Sequence, residues 1–328
     1  MSLDSPFYRS FMKITVLDAA SIGYDLDYSV YTAFGTLSVY DATDKDEICD
    51  RIKDSDVIIL NKIKIGEKEL SIAQNLKLIC IAATGYDNID LAACREKGVG
   101  VCNVVGYSTD SVAQLTVAMA LSLACRLKEY APFVESGAYT KSGAPNKIEP
   151  VFHELAGKTW GIVGYGNIGK KVAKIANALG CRVIVCKRTP EADVPVVDLN
   201  TLCKEADIIS LHTPLNDGTR RMIGKTALSQ MKKSTILINV ARGAVTDEQA
   251  VADAILSGQI AALGCDVYDG EPMKEDHPFT AIKHLPNVLL TPHMAWAAFE
   301  ARKRCLDEIY QNIQAFIEGK TRSRVDLV

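Results

Sequence analysis

Nothing in this 328-residue sequence brings its cysteines together. There are ten, at positions 49, 80, 94, 102, 125, 181, 186, 203, 265 and 305, and none forms a Cys-x-x-Cys pair. Zinc and dithiol centres usually need such close pairing, so no metal site is expected. Most of the cysteines sit inside apolar runs such as Leu78–Ala82 and Gly264–Val267. They read as small buried hydrophobes in a reducing, cytoplasmic compartment. Positive charge is not in excess either: 37 Lys and Arg face 40 Asp and Glu, a formal net charge of −3. Such a chain has no basic field for a phosphate backbone, and no nucleic-acid partner is expected. No apolar run reaches the ~18 residues that span a bilayer, so no membrane role is expected. The longest, Val112–Cys125, is broken by Gln114, Thr116 and Ser122 and reads as a buried helix. Met1–Phe11 lacks the apolar core of a secretory signal and precedes a second methionine, Met12. It reads as an extension or frayed end outside the fold.

What is present is a soluble globular composition, 48% hydrophobic and 23% charged. The length suits two domains of about 100–200 residues each. Short apolar runs alternate with amphipathic segments from the start. Strands are expected at Lys13–Leu17, Leu37–Tyr40, Asp56–Leu60, Leu78–Ala82 and Gly100–Asn103, with helical patterns such as Lys45–Lys53 and Asp90–Lys97 between them. This rhythm implies a parallel sheet covered by helices. A long apolar-periodic stretch, Thr109–Glu129, reads as a connecting helix, and the polar Ser136–Pro150 as a surface loop. A second series follows, with strands at Thr159–Val163, Arg182–Cys186, Ile208–Leu211, Thr235–Asn239, Ala262–Val267 and Val288–Leu290. Its first helix runs from about Asn167 to Leu179 and stops at Gly180. A last amphipathic helix, about Glu300–Glu318, could fold back on the N-terminal part. The expected fold class is α/β, with two doubly wound Rossmann-like domains built on parallel sheets. A dinucleotide-binding domain, 109–296, is inserted into a substrate domain made of 1–108 and 297–328. The cleft between domains is the default place for chemistry.

The run Gly164-Tyr165-Gly166-Asn167-Ile168-Gly169 is Gly-x-Gly-x-x-Gly, placed after a strand and opening a helix. Gly164 permits a tight turn, Gly166 lets backbone approach a pyrophosphate, and Gly169 allows close helix–strand packing. The helix start offers free N–H groups and a positive dipole end. A carboxylate for the ribose 2′-hydroxyl is expected about 20 positions after the motif. Here the next strand ends instead in Cys186-Lys187-Arg188-Thr189. Lys187 and Arg188 suit a 2′-phosphate, so NADP(H) is the expected cofactor, with NAD(H) possible if both are merely solvated.

Three polar residues lie just past strands of the second series: Arg242, Glu271 and His293. Ligands bind open α/β sheets outside the carboxyl ends of their strands, so three loops could converge there. Reducing a 2-keto acid needs a cation for the carboxylate, an acid for the developing alkoxide, and a carboxylate to orient that acid. Arg, His and Glu fill these roles. Each alone has an ordinary structural reading as salt bridge, turn cap or core histidine. Together they point to catalysis. Reduction should weaken as rising pH strips the proton from His293. His153, His277 and His284 read as structural or surface residues, and His212 ends a strand near the cofactor.

The chain resembles the D-isomer-specific 2-hydroxyacid dehydrogenase family from Met12 onward. The carrying stretches are Ala83-Thr84-Gly85-Tyr86-Asp87-Asn88-Ile89-Asp90, the glycine motif with Gly157-Lys158-Thr159 before it, and Leu211-His212-Thr213-Pro214-Leu215. Asn239-Val240-Ala241-Arg242-Gly243, Asp266-Val267 with Glu271-Pro272, and Thr291-Pro292-His293 complete them. The resemblance implies a catalytic trio of Arg242, Glu271 and His293. It implies substrate-carboxylate contacts from the Thr84 and Gly85 backbone, with Arg242 also binding substrate. Asp266 would meet the nicotinamide end, with Thr213, Val240 and Ala241 lining the cofactor. A homodimer is implied as well. Trp296 and the tail Gly319-Lys320-Thr321-Arg322-Ser323-Arg324-Val325 resemble the hydroxypyruvate reductase (glycerate dehydrogenase) branch, which makes hydroxypyruvate or glyoxylate the leading substrates. The alternatives are a formate- or phosphite-type dehydrogenase, or a cofactor-sensing binding protein on the same scaffold.

Overall fold

A computed structural model describes residues 12–189 and 192–327. The extension expected at 1–11 lies outside the described residues. The chain forms two compact units: one runs up to Ser108 and resumes at Ala297, and the other is Thr109–Trp296.

The first unit holds β1 (Met12–Val16), β2 (Gly35–Val39), α1 (Ile48–Ile52), β3 (Val57–Leu60), α2 (Glu67–Ile72), β4 (Leu78–Ile81), α3 (Leu91–Lys97), β5 (Gly100–Cys102) and the C-terminal helix Phe299–Ile317. Its five strands are all parallel, in the order β2-β1-β3-β4-β5. Every residue of β3 and β4 is buried, the pattern of strands covered on both faces. Helix α3 shows how local chemistry sets the ends. The Asp90 side chain accepts the Ala93 N–H at the start, and Gly98 closes the helix in the left-handed region at φ 69°. The strand order reverses between β1 and β3, where such sheets bind ligands. In this unit the Asp18 carboxylate fills that point, accepting the Asn61 and Lys62 amides at 2.9 and 2.7 Å. The C-terminal helix packs back onto the unit: Tyr31 Oη donates to the Leu306 carbonyl, and the Phe34 and Tyr310 rings lie 4.5 Å apart.

The tail beyond that helix is a structural element. Residues 323–326 run antiparallel along β5, with the Val325 N–H donating to Val101 O and the Asn103 N–H to Ser323 O. An open edge strand is thereby covered. Arg324 lies against Gly100, where a Cβ would come within 2.9 Å of its guanidinium.

The second unit opens with α4 (Thr109–Ala124), α5 (Leu127–Glu135) and α6 (Ala138–Ser142). The helix expected over Thr109–Glu129 is thus two helices. Arg126 adopts φ 54°, which ends one and starts the next. The stretch read as a loop, 136–150, contains α6, bounded by Gly137 and Gly143 in the left-handed region. Then come β6 (Thr159–Val163), α7 (Asn167–Ala178), β7 (Arg182–Cys186), α8 (Leu199–Glu205), β8 (Ile208–Leu211), α9 (Lys225–Gln230), β9 (Ile236–Asn239), α10 (Glu248–Leu256), β10 (Ala262–Cys265) and β11 (Val288–Leu290). The six strands are parallel, in the order β11-β10-β9-β8-β6-β7. Trp160 on β6 is fully buried, and its Nε1 donates to Ser210 Oγ on β8 at 2.9 Å. Both units are α/β layers on parallel sheets, so the fold class read from the sequence holds. Among the described residues no helix is long and apolar enough to cross a membrane.

Candidate active site

The glycine turn follows β6, and His212 and Thr213 follow its neighbour β8, so the two flank the point where the strand order reverses. Gly164 adopts φ 93°, and a Cβ there would lie 2.7 Å from the His212 carbonyl and the Thr213 nitrogen. At Gly169 a Cβ would sit 2.3 Å from Gly164 O. At Gly166 it would meet nothing within 4 Å. Two glycines are therefore needed for packing, while the third keeps an open approach. No side chain caps the start of α7. Uncapped amides and an open glycine at a helix N-terminus fit a dinucleotide pyrophosphate.

Lys187 and Arg188 follow β7, Lys187 half-buried and Arg188 exposed. The Lys187 and Lys170 ammonium groups each lie 5.9 Å from the centre of the Tyr165 ring, inside the glycine motif. The Tyr165 hydroxyl donates to Asp193 Oδ1 at 2.6 Å, and that bond holds the Asp193 carboxyl below its ordinary range. A carboxylate does approach this loop, then, already engaged by tyrosine. Asp193 lies outside the motif spacing, so nothing in the linear pattern pointed to it. Burial pushes the His212 imidazole down to about 3, so the ring is neutral, and its buried Nδ1 has no hydrogen-bond partner among the described residues. Its Nε2 pairs with Ser210 Oγ at 2.9 Å.

Strands β9, β10 and β11 are neighbours, and their carboxyl ends lead to Arg242, Glu271 and His293. Glu271 Oε2 lies 2.6 Å from His293 Nδ1, both side chains about a third exposed, at 32% and 27%. The other oxygen, Oε1, accepts the Tyr268 N–H at 3.0 Å. His293 sits at φ 53°, in the left-handed region. Asp266 holds it there. The His293 N–H donates to the Asp266 carbonyl at 2.8 Å. The Asp266 carboxylate accepts the Met294 and Ala295 amides and the Thr291 hydroxyl. Asp266 is fully buried, and burial raises its carboxyl above the ordinary value against those hydrogen bonds. Its oxygens thus help to hold the turn that carries His293. Trp296 completes the turn, its indole N–H donating to the His293 carbonyl at 2.9 Å.

Arg242 is exposed, its Nη1 donating to Ala241 O at 2.8 Å. The fully buried Asn239 shapes its turn, accepting the Ala241 N–H and donating to Arg242 O. Val240 and Ala241 are buried. The Arg242 and Glu271 loops meet at Gly243, where a Cβ would lie 1.9 Å from the Tyr268 carbonyl carbon and 2.1 Å from the Asp269 nitrogen. Tyr268 therefore joins all three loops: it packs on Gly243, its amide holds Glu271, and its hydroxyl donates to the Thr291 carbonyl at 2.9 Å. Sequence reading missed Asn239 and Tyr268, because neither residue type signals such bonds. Thr84 and Gly85 lie in the first unit, just past β4. The Thr84 hydroxyl donates to Val104 O and its carbonyl accepts from Asn103 Nδ2.

A cavity of about 350 Å³ opens at the opposite, amino-terminal end of this sheet, lined by residues such as Arg126, Phe152, Lys158, Asp207, Ser234 and Asn287. The chemistry-bearing residues gather at the other end.

A parallel sheet with a glycine-rich turn at its switch point, and a His–Glu pair at the carboxyl end of the same sheet, is the arrangement of a dinucleotide-dependent oxidoreductase. Residues 117–295 match the family model described as D-isomer specific 2-hydroxyacid dehydrogenase, NAD binding domain. A glycerate dehydrogenase of Methylorubrum extorquens is 37% identical over 281 residues, 86% of this chain and 88% of that protein. A hydroxypyruvate reductase of Blautia hydrogenotrophica is 35% identical over 317 residues, 94% and 98% of the two chains. A solved structure from Thermus thermophilus superposes with a TM-score of 0.81 at 34% identity, covering 96% of this chain and 100% of that one. The chain belongs to the D-isomer-specific 2-hydroxyacid dehydrogenase family and uses a pyridine nucleotide.

Proposed function

We propose that the chain reduces a small 2-keto acid, preferring NADPH to NADH: hydroxypyruvate to its D-2-hydroxy acid, or glyoxylate to the achiral glycolate. The observation that carries the chemistry is the Glu271–His293 hydrogen bond at the same carboxyl end of the sheet as the glycine turn. The names of the two relatives support the substrate class. Lys187 and Arg188 at the end of β7 support the NADPH preference. In this reading, 109–296 is the dinucleotide-binding domain, and 1–108 with 297–328 the substrate domain.

Gly164, Gly166, Asn167, Ile168 and Gly169 would hold the nucleotide, whose chemistry when bound would be to supply a hydride to C2 of the keto acid. Thr213, Val240 and Ala241 line its site. The Arg242 guanidinium grips the substrate carboxylate and polarises the ketone. Thr84 and Gly85 are assigned backbone contacts to substrate on the family motif alone. His293 Nδ1 faces Glu271, so Nε2 delivers the proton to the carbonyl oxygen as it becomes a hydroxyl. Asp266 and Trp296 hold the turn in which His293 works.

The fitting partner is a second copy of the chain. Between Leu127 and Phe152 the surface carries Leu127, Val134, Tyr139, Ile148, Val151 and Phe152 exposed, with Ile148 at 77%. Apolar side chains concentrated on one segment mark an interaction surface. All ten cysteines are free, which supports a reducing, cytoplasmic setting.

The test is oxidation of NADPH and NADH with hydroxypyruvate, glyoxylate, pyruvate and a branched 2-keto acid. Higher kcat/KM for hydroxypyruvate or glyoxylate with NADPH is the expected result. His293→Ala should cut turnover by about 100- to 10,000-fold while leaving NADPH binding in place. Nucleotide binding without turnover of any keto acid would favour a formate- or phosphite-type dehydrogenase or a cofactor sensor instead. Equal or better use of NADH would overturn the cofactor preference.

A further inference from the structure

A second His–Glu pair lies behind the first. Glu248 opens α10, and His277 precedes the short helical turn Pro278–Ala281. Their side chains are only 8% and 6% exposed, and Glu248 Oε2 lies 2.7 Å from His277 Nε2. His277 Nδ1 accepts the Phe279 N–H at 3.1 Å, so the ring proton is on Nε2 and is donated to Glu248. The other oxygen, Glu248 Oε1, accepts the Asp269 N–H at 2.9 Å. Both oxygens accept, as a carboxylate does. Burial raises the Glu248 carboxyl above its ordinary value, against the pull of the Asp269 amide and His277.

A buried charge of this kind is a poor way to add stability, since an apolar pair of similar volume commonly does better. What this pair grips is the loop that carries Glu271. Asp269 stands two residues before it. The His277 ring packs edge-on against Tyr268, with centroids 5.7 Å apart and planes at 89°. Tyr268 in turn presents its amide to Glu271 Oε1 and its hydroxyl to the carbonyl of Thr291, two residues before His293. The Glu271 side chain is itself a third exposed, so its placement depends on how firmly this loop is held.

We infer that the Glu248–His277 pair is a positioning device for catalysis: it fixes Asp269 and Tyr268, and through them sets Glu271 against His293 Nδ1. The inference rests on the proposed roles of Glu271 and His293 in keto-acid reduction. Neither Glu248 nor His277 touches the reacting atoms. Their effect passes through the Glu271 carboxylate and should vanish when that carboxylate is gone.

The experiment is a double-mutant cycle read with hydroxypyruvate and NADPH. Glu248→Gln keeps the side-chain shape but loses one of the two acceptors. Its kcat should fall about 10- to 100-fold, as for a small misplacement of a catalytic group. KM should change less than about threefold, because substrate binding is not involved. The Kd for NADPH, read by fluorescence, should hold. His277→Gln, which retains an acceptor for Phe279 and a donor for Glu248, should recover most of the activity that His277→Phe loses. In a Glu271→Gln background, Glu248→Gln should cost little more. If the two losses multiply instead, or if kcat and NADPH affinity fall while KM rises, the pair is structural and the inference fails. Should Glu248→Gln fail to fold, His277→Gln against His277→Phe carries the same comparison. A Glu271→Gln variant with full activity would instead refute the proposed role of Glu271.

Discussion

Two glycines of this site do opposite jobs, and the space around each tells them apart. Gly243 is crowded by the Tyr268–Asp269 backbone, which cannot swing aside as a side chain can. Gly243→Ala should destabilise the protein by about 1–3 kcal/mol and lower turnover, since it forces the Arg242 and Glu271 loops apart. Gly166 meets nothing within 4 Å and has φ −86°, so Gly166→Ala should shift stability by less than about 0.5 kcal/mol. Its methyl would instead stand where the pyrophosphate approaches and weaken nucleotide binding. Denaturant unfolding with NADPH titration separates the two, and equal stability losses would contradict this account. At this scale the sequence exposed Arg242, Glu271 and His293, because each is polar and follows an apolar strand. It gave no role to Asn239, Tyr268 or Glu248, and it read His277 as structural or surface. Their significance lies in hydrogen bonds, some within a single turn, as at Asn239, and others between segments far apart in the chain, as at Glu248, His277 and the Tyr268 hydroxyl.

Strands were the legible elements. Those of the second series begin and end within two residues of the expected positions, because buried parallel strands are uninterrupted apolar runs bounded by polar turns. Helix ends were less so: nothing in the composition of 109–129 announces the left-handed Arg126 that divides it. The tail resembles a branch signature, and its Arg324 and Asp326 also seal the edge of β5. Asp326 accepts the Val101 N–H at 2.8 Å and pairs with Arg324 at 2.6 Å. Burial alone would raise its carboxyl, but Arg324 and the Val101 amide outweigh that and hold it below the ordinary 3.8. With the folded value depressed, the unfolded chain takes up the proton first as pH falls. The stabilisation is therefore present above the ordinary value and lost as pH drops through the folded one. Asp326→Asn should cost about 1–2 kcal/mol at pH 7, and the gap to the parent should shrink below about pH 4. A gap that persists unchanged into acid would show that the carboxylate charge is not responsible.

For the whole molecule, the exposed apolar segment 127–152 makes assembly the testable property. The monomer is 35.6 kDa. Sedimentation should return twice that mass at micromolar concentration, and Ile148→Asp with Phe152→Asp should return the monomer. A parent protein that sediments as the monomer throughout would refute the dimer. The sequence by itself determined the α/β class and singled out the glycine turn and the proposed catalytic residues Arg242, Glu271 and His293. These rest on short-range facts: apolar periodicity, the need for glycine beside a pyrophosphate, and polar residues at strand ends. Only the tertiary structure decided that Glu271 meets His293 at Nδ1, that Asp266 and Trp296 hold the histidine turn, and that Tyr268 knits three loops together. Those relations depend on which strands lie side by side, and that order is set by packing across the sheet rather than by any one segment.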